Sequence, residues 1–159
     1  MRNGFRLHAS LAATFVVAAL SGLGLAMPSA AAPLGWQASY GWYTELDDSF
    51  VGLGARLAAG TITVIPNAEW LFEDHGSIYT LNLDATMTVM PLGVATGYAG
   101  LGLGMLTVDP DRANSRSDMT VNLIAGAGLN AIPLKPFAQL KYVIVDGDDP
   151  IVFSLGARF

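Results

Sequence analysis

The chain has 159 residues, enough for one domain, and is 52% hydrophobic but only 13% charged, where an ordinary soluble domain carries roughly 25% charged residues. Such a composition excludes a disordered chain, and the absence of cysteine excludes a disulfide framework, a thiolate metal site and a thiol nucleophile. The formal net charge of −5 argues against nucleic acid as a partner.

Residues 1–31 read as an export signal. Arg2 and Arg6 supply a positive n-region, residues 11–25 an apolar h-region, and Ser29-Ala30-Ala31 the small residues of a cleavage site. The apolar run is short for a bilayer span of about 20 residues. Cleavage is expected after Ala31, because a cut one residue later would put Pro33 first. The mature chain is then 32–159. Losing Arg2 and Arg6 leaves it six Lys/Arg against thirteen Asp/Glu, a formal −7.

Eight segments of alternating polarity follow. Residues 36–43 set Trp36, Ala38, Tyr40 and Trp42 against Gln37, Ser39, Gly41 and Tyr43. Residues 50–57 set Val51, Leu53, Ala55 and Leu57 against Gly52, Gly54 and Arg56. Residues 61–71 set Ile62, Val64, Pro66, Ala68 and Trp70 against Thr63, Ile65, Asn67 and Glu69. Pro66 lacks a ladder donor, so a bulge or missing bond is expected there. Residues 79–88 alternate without a break, Tyr79, Leu81, Leu83, Ala85 and Met87 against Thr80, Asn82, Asp84, Thr86 and Thr88. Successive strand side chains point to opposite faces, so this pattern makes one apolar and one small-polar face.

Residues 89–93, with Pro91 and Gly93, read as a short turn. Residues 95–107 set Ala99, Leu101, Leu103 and Met105 against Tyr98, Gly100, Gly102 and Gly104, and 108–118 read as the longest loop. Residues 119–129 set Met119, Val121, Leu123, Ala125, Ala127 and Leu129 against Thr120, Asn122, Ile124, Gly126 and Gly128. Residues 136–145 set Ala138, Leu140, Tyr142 and Ile144 against Gln139, Lys141 and Val143. Residues 151–159 set Ile151, Phe153, Leu155, Ala157 and Phe159 against Ser154, Gly156 and Arg158. Strands joined by such short connections form sequential antiparallel hairpins. Closing the sheet removes its edges, so the last strand should pair with the first.

Which face is outside decides the function class. On a soluble carrier barrel of the lipocalin kind the polar face would be solvated, yet its strand charges are only Arg56, Glu69, Asp84, Lys141 and Arg158. A solvated surface is much richer in charge. The remaining eleven carboxylates fall in the first, third, fifth and seventh connections. One rim is therefore acidic and the other plain, the asymmetry of an outer-membrane barrel with short periplasmic turns. On the apolar face Trp42, Trp70, Tyr79 and Phe153 fall near the acidic rim, and Trp36 and Phe159 near the plain one, two aromatic girdles of the kind found at lipid headgroup boundaries. The predicted fold is thus all-β, an eight-stranded up-and-down antiparallel transmembrane barrel. Leu81, Leu103 and Leu123 meeting at its centre, with Asn82 and Thr120 in solvent, would overturn that orientation.

A cleaved signal, eight alternating strands and a terminal Phe159 preceded by Phe153, Leu155 and Ala157 at two-residue steps resemble the small outer-membrane β-barrel superfamily. It includes the transmembrane domain of outer-membrane protein A, the opacity-like proteins and the porin-like barrels of Gram-negative bacteria. Tyr98-Ala-Gly-Leu-Gly-Leu-Gly104 and Phe153-Ser-Leu-Gly-Ala-Arg-Phe159 are similar to strands of that group. The resemblance implies an outer-membrane location and recognition of Phe153, Leu155, Ala157 and Phe159 by the barrel-insertion machinery.

Eight strands enclose a space that side chains just fill. Arg56, Lys141 and Arg158 are expected to face Glu69 and Asp84 there as a polar plug, with Asp84 paired to Lys141 or Arg56 and Arg158 near the periplasmic end. Buried charges need partners, because lone ones cost several kcal/mol. Functional classes then rank as a structural or surface-interaction protein, a narrow porin-like channel, a lipid-A-modifying enzyme centred on His75, and a secreted carrier. His75 sits among Glu73, Asp74 and Ser77, but neighbours on one loop seldom make a triad, so no catalytic residue is assigned. The glycines of 100–104 lie within one strand and lack the strand-to-helix turn of a phosphate loop. The aspartates of 109–111 and 146–149 miss the spacing of a calcium loop, so no metal or cofactor is assigned. Expected partners are outer-membrane lipids and lipopolysaccharide, and the expected state is a monomer with both termini periplasmic.

Overall fold

The computed structural model describes residues 34–45, 47–72, 77–109, 116–130, 133–145 and 149–159. The export signal at 1–31 and His75 lie outside the described residues. Eight strands follow in order: β1 (Leu34–Tyr43), β2 (Asp48–Ala59), β3 (Ile62–Leu71), β4 (Ser77–Leu92), β5 (Ala95–Asp109), β6 (Arg116–Leu129), β7 (Pro136–Ile144) and β8 (Ile151–Arg158). Each pairs antiparallel with its sequence neighbours, and the sheet closes into a barrel. Closure runs from Gln37 opposite Arg158 to Tyr43 opposite Val152. It is extended by Trp36 N–H donating to Phe159 O at 2.7 Å and Phe159 N–H returning to Trp36 O at 2.9 Å.

The alternation sorts side chains by face along every strand. Leu81, Leu103 and Leu123 point outward, 40%, 45% and 42% exposed, while Asn82 and Thr120 point inward at 8% and 4%. Apolar residues cover the outer wall and polar ones fill much of the inside. That is the reverse of a soluble barrel, and it removes the secreted-carrier packing from consideration.

Several strands run past their expected ends. β4 continues through Pro91 to Leu92, leaving only Gly93 and Val94 as the turn, with Gly93 at φ 71°. Pro91 is tolerated because the β3 ladder ends at Ile62 opposite Met87, so β4 has no partner on that side beyond it. The register of the β4–β5 ladder shifts between Thr88 and Met90, which inserts Val89 as a bulge. β5 and β6 pair on into the expected longest loop, out to Val108 opposite Arg116. Thr107 Oγ1 and Ser117 Oγ share a hydrogen bond of 2.9 Å there, and Arg116 pairs with Asp118 at 2.8 Å. At Pro66 a bond is lost without a bulge. The β2–β3 pairing skips Ala55 opposite Pro66 and Arg56 opposite Ile65, then resumes in the same register at Leu57 opposite Val64.

Candidate functional site

Chemistry-bearing side chains converge in the lumen, which is built in three layers. Next to the acidic rim the inward positions turn apolar. Tyr43, Phe50, Leu71, Ile78, Val143 and Val152 form a buried cluster with Leu106 and Val108 packed against it. Tyr43 and Phe50 meet edge to face at 5.4 Å between ring centroids, a favoured aromatic geometry. Gly41 leaves the room that Phe50 occupies, since a Cβ there would strike the Phe50 ring and the β8 backbone.

The middle layer is polar and continuous. Lys141 Nζ donates to Glu69 Oε1 at 2.5 Å, and the two side chains are almost fully enclosed. The pair spans the lumen, because β3 and β7 lie four strands apart either way round the barrel. Glu69 Oε2 accepts from Tyr43 Oη at 2.6 Å and from Thr80 Oγ1 at 2.9 Å. Asn82 Nδ2 donates to Thr80 Oγ1 at 2.9 Å and to Asn67 Oδ1 at 3.1 Å. Asn67 Nδ2 donates to Asp84 Oδ2 at 2.8 Å, and Asn122 Nδ2 donates to Asp84 Oδ1 at 3.1 Å and to Asn82 Oδ1 at 3.0 Å. Hydrogen bonds thus link β1, β3, β4, β6 and β7 through one network. Such networks rigidify an interior when their members are satisfied. A cavity of about 10 Å³ lined by Gln37, Asn67, Glu69, Asp84 and Gln139 lies beside it, room for about one water.

The expected partner of Asp84 was Lys141 or Arg56, and the structure corrects this. Among the described residues Lys141 pairs with Glu69, and Asp84 has no cation within 4 Å. The physical reason is supply of donors. Asp84 already receives two amide N–H groups, whereas the Glu69 carboxylate sits opposite Lys141 with only hydroxyls on its other oxygen. Gly102 on the neighbouring strand has no Cβ, and any Cβ there would collide with the Asp84 carboxylate.

The third layer, toward the plain rim, is cationic and aromatic. The Arg158 guanidinium lies over the Tyr98 ring and over the Phe137 ring, 4.5 Å from each centroid. Tyr98 fits against Gly126, its partner on β6, and donates to Gln139 Oε1 at 3.2 Å. Arg56, Lys135 and Arg158 line an open cavity of about 300 Å³ with Leu34, Gly35, Ala58, Thr63 and Phe159. Of the five charged lumen residues singled out in the sequence, Glu69 and Lys141 come together, Arg56 and Arg158 share the plain-rim cavity, and Asp84 binds asparagines.

On the outer wall Trp42 and Phe153 sit opposite each other on β1 and β8 with ring centroids 4.8 Å apart. Trp70 is opposite Tyr79 on β3 and β4. Trp36 and Phe159 are exposed at the other rim. Phe153, Leu155, Ala157 and Phe159 all take the outer face, with Leu155 and Phe159 exposed and Phe153 and Ala157 partly covered. The apolar cap was the part that alternation missed. Its signal is present in Trp70-Leu71-Phe72, Ile78-Tyr79, Tyr142-Val143-Ile144 and Ile151-Val152-Phe153, where apolar residues occupy both faces at one end of a strand.

A closed barrel with an apolar wall and a polar interior is the architecture of a transmembrane β-barrel. No family model matches the chain, and no curated protein sequence matches it. Solved structures do match. The N-terminal β-barrel domain of OprF from Pseudomonas aeruginosa superposes with a TM-score of 0.64 at 14% identity, over 79% of this chain and 96% of that one. Neisserial surface protein A superposes with a TM-score of 0.57 at 12% identity, over 79% of this chain and 92% of that one. The Yersinia pestis outer membrane protein Ail, in a phospholipid bilayer nanodisc, gives 0.53 at 16% identity, over 80% and 99%. The likeness is one of fold: this chain has the fold of the small eight-stranded outer-membrane β-barrels.

Proposed function

We propose that the mature protein resides in the bacterial outer membrane as a monomeric, non-catalytic barrel with a closed lumen, serving envelope integrity or surface contact through its acidic loops. The observation that carries this reading is the three-layer interior, in which an apolar cluster and a cross-lumen Lys141–Glu69 pair lie in series. An ion would have to displace greasy side chains and then break a buried charge pair. The termini and short turns face the periplasm in this reading, and the acidic loops face outward toward lipopolysaccharide and divalent cations. The outer face of β8 supports recognition by the insertion machinery, because Phe153, Leu155, Ala157 and Phe159 present one apolar stripe there.

Envelope fractionation tests residence: the protein is expected in the outer-membrane fraction with heat-shifted gel migration, and recovery as a soluble periplasmic species overturns it. Planar-bilayer recording tests closure: no stable unitary conductance is expected. Regular open steps that persist in the purified protein overturn the closed lumen and favour the channel.

A further inference from the structure

The plain rim gathers three cations on one cavity. Arg56 projects from β2, Arg158 from β8, and Lys135 from the connection before β7, all onto the 300 Å³ cavity. Among the described residues no carboxylate lies within 4 Å of any of the three. The lumen acids are committed elsewhere, Glu69 to Lys141 and Asp84 to Asn67 and Asn122. Arg158 is only 7% exposed, and its Nε has no hydrogen-bond partner; the Nε of Arg56 has none either. Buried donors are normally paired, so two orphaned guanidinium nitrogens on arginines that line one cavity are a feature to be explained.

Aromatic contact does not satisfy them. The rings of Tyr98 and Phe137 stabilise the Arg158 charge through their faces. The N–H groups of a guanidinium lie in its own plane, and the Arg158 Nε–H in that plane still has no acceptor. A planar fork held against rings, with a second fork and an ammonium on the same cavity, is a receptor for a tetrahedral oxyanion. Leu34 and Phe159 are exposed at the lip of the cavity, which gives it an apolar margin.

We propose that Arg56, Arg158 and Lys135 form a binding site for a phosphate-class oxyanion at the rim carrying the barrel termini, taken either as the free ion or as the headgroup of an anionic phospholipid. The site does not depend on lumen closure, so a conducting barrel would leave it standing.

The test uses the full chain folded in an uncharged maltoside detergent, titrated calorimetrically with inorganic phosphate and, separately, with short-chain phosphatidylglycerol. Saturable binding of either is expected, weakened about tenfold by Arg158→Gln and by Arg56→Gln, as for loss of one charge-assisted hydrogen bond. Lys135→Gln should weaken it less, since an ammonium contributes a point charge without the fork. Binding of phosphate alone assigns the free ion, and binding of the lipid with no phosphate response assigns the headgroup. Heat-shifted migration confirms that each variant is folded, and Arg56→Gln serves if Arg158→Gln does not fold. No saturable binding of either ligand, or binding that Arg56→Gln and Arg158→Gln in folded protein leave unchanged, overturns the proposal.

Discussion

Lys141 and Glu69 are both buried, but their removal should not cost the same. Lys141→Met takes out the cation that contacts Glu69 and lies within electrostatic reach of Asp84. Two buried carboxylates then share a network whose remaining donors are neutral. Removing one partner of a buried pair costs about 3–5 kcal/mol, and the loss here should fall in that range. Glu69→Gln is milder. Its amide can still engage the Tyr43 and Thr80 hydroxyls and offer an oxygen to Lys141, while Asp84 still balances the ammonium. A charged hydrogen bond becomes a neutral one, a loss of about 1–2 kcal/mol. The double variant should cost less than the sum, because the removed groups share one interaction. Urea titration of folding into phospholipid vesicles, read by heat-shifted gel migration, measures all three. Equal losses for the two single variants, or a larger loss for Glu69→Gln, would refute the view that Lys141 neutralises both acids.

Phe50→Ala should open a void in the apolar cap and lower stability by about 3–5 kcal/mol in the same titration, since Phe50 is 1% exposed. Leu103→Arg on the outer wall should cost about 2–4 kcal/mol if Leu103 sits near the bilayer midplane, and Leu129→Arg near the rim about 0–1 kcal/mol; equal costs would contradict that placement. Gly126→Val should displace the Tyr98 ring and lower stability, read by loss of the folded gel band at lower urea, whereas Gly60→Asn in its open turn at φ 63° should be nearly neutral.

The two-residue rhythm made the faces legible because it is a local property: each strand declares its own inside and outside. Tyr79, Leu81, Leu83, Ala85 and Met87 needed no partner to be placed on the wall. The clustering of acids in alternate connections likewise told one rim from the other. What alternation could not carry was contact across the lumen. Glu69 and Lys141 are 72 residues apart on opposite strands, and their meeting depends on the relative height of β3 and β7. That height accumulates through four ladders, including the Pro66 gap on one route and the Val89 irregularity on the other. Asp84 was assigned a cation for the general reason that buried acids need one, yet Asn67 and Asn122 supplied enough donors. The apolar cap escaped notice because a pattern of two faces treats Val143 and Val152 as exceptions, when at that end of the barrel they are the rule.

The claim on which the rest stands is that the apolar face meets lipid. The chain contains no cysteine, so single cysteines introduced one at a time from Tyr79 to Met87 can each carry a spin label in the folded, bilayer-embedded protein. Collision with a membrane-soluble relaxant should alternate, high at positions 79, 81, 83, 85 and 87 and low at 80, 82, 84 and 86. The opposite phase, or uniform access for a water-soluble relaxant along the odd positions, would contradict it.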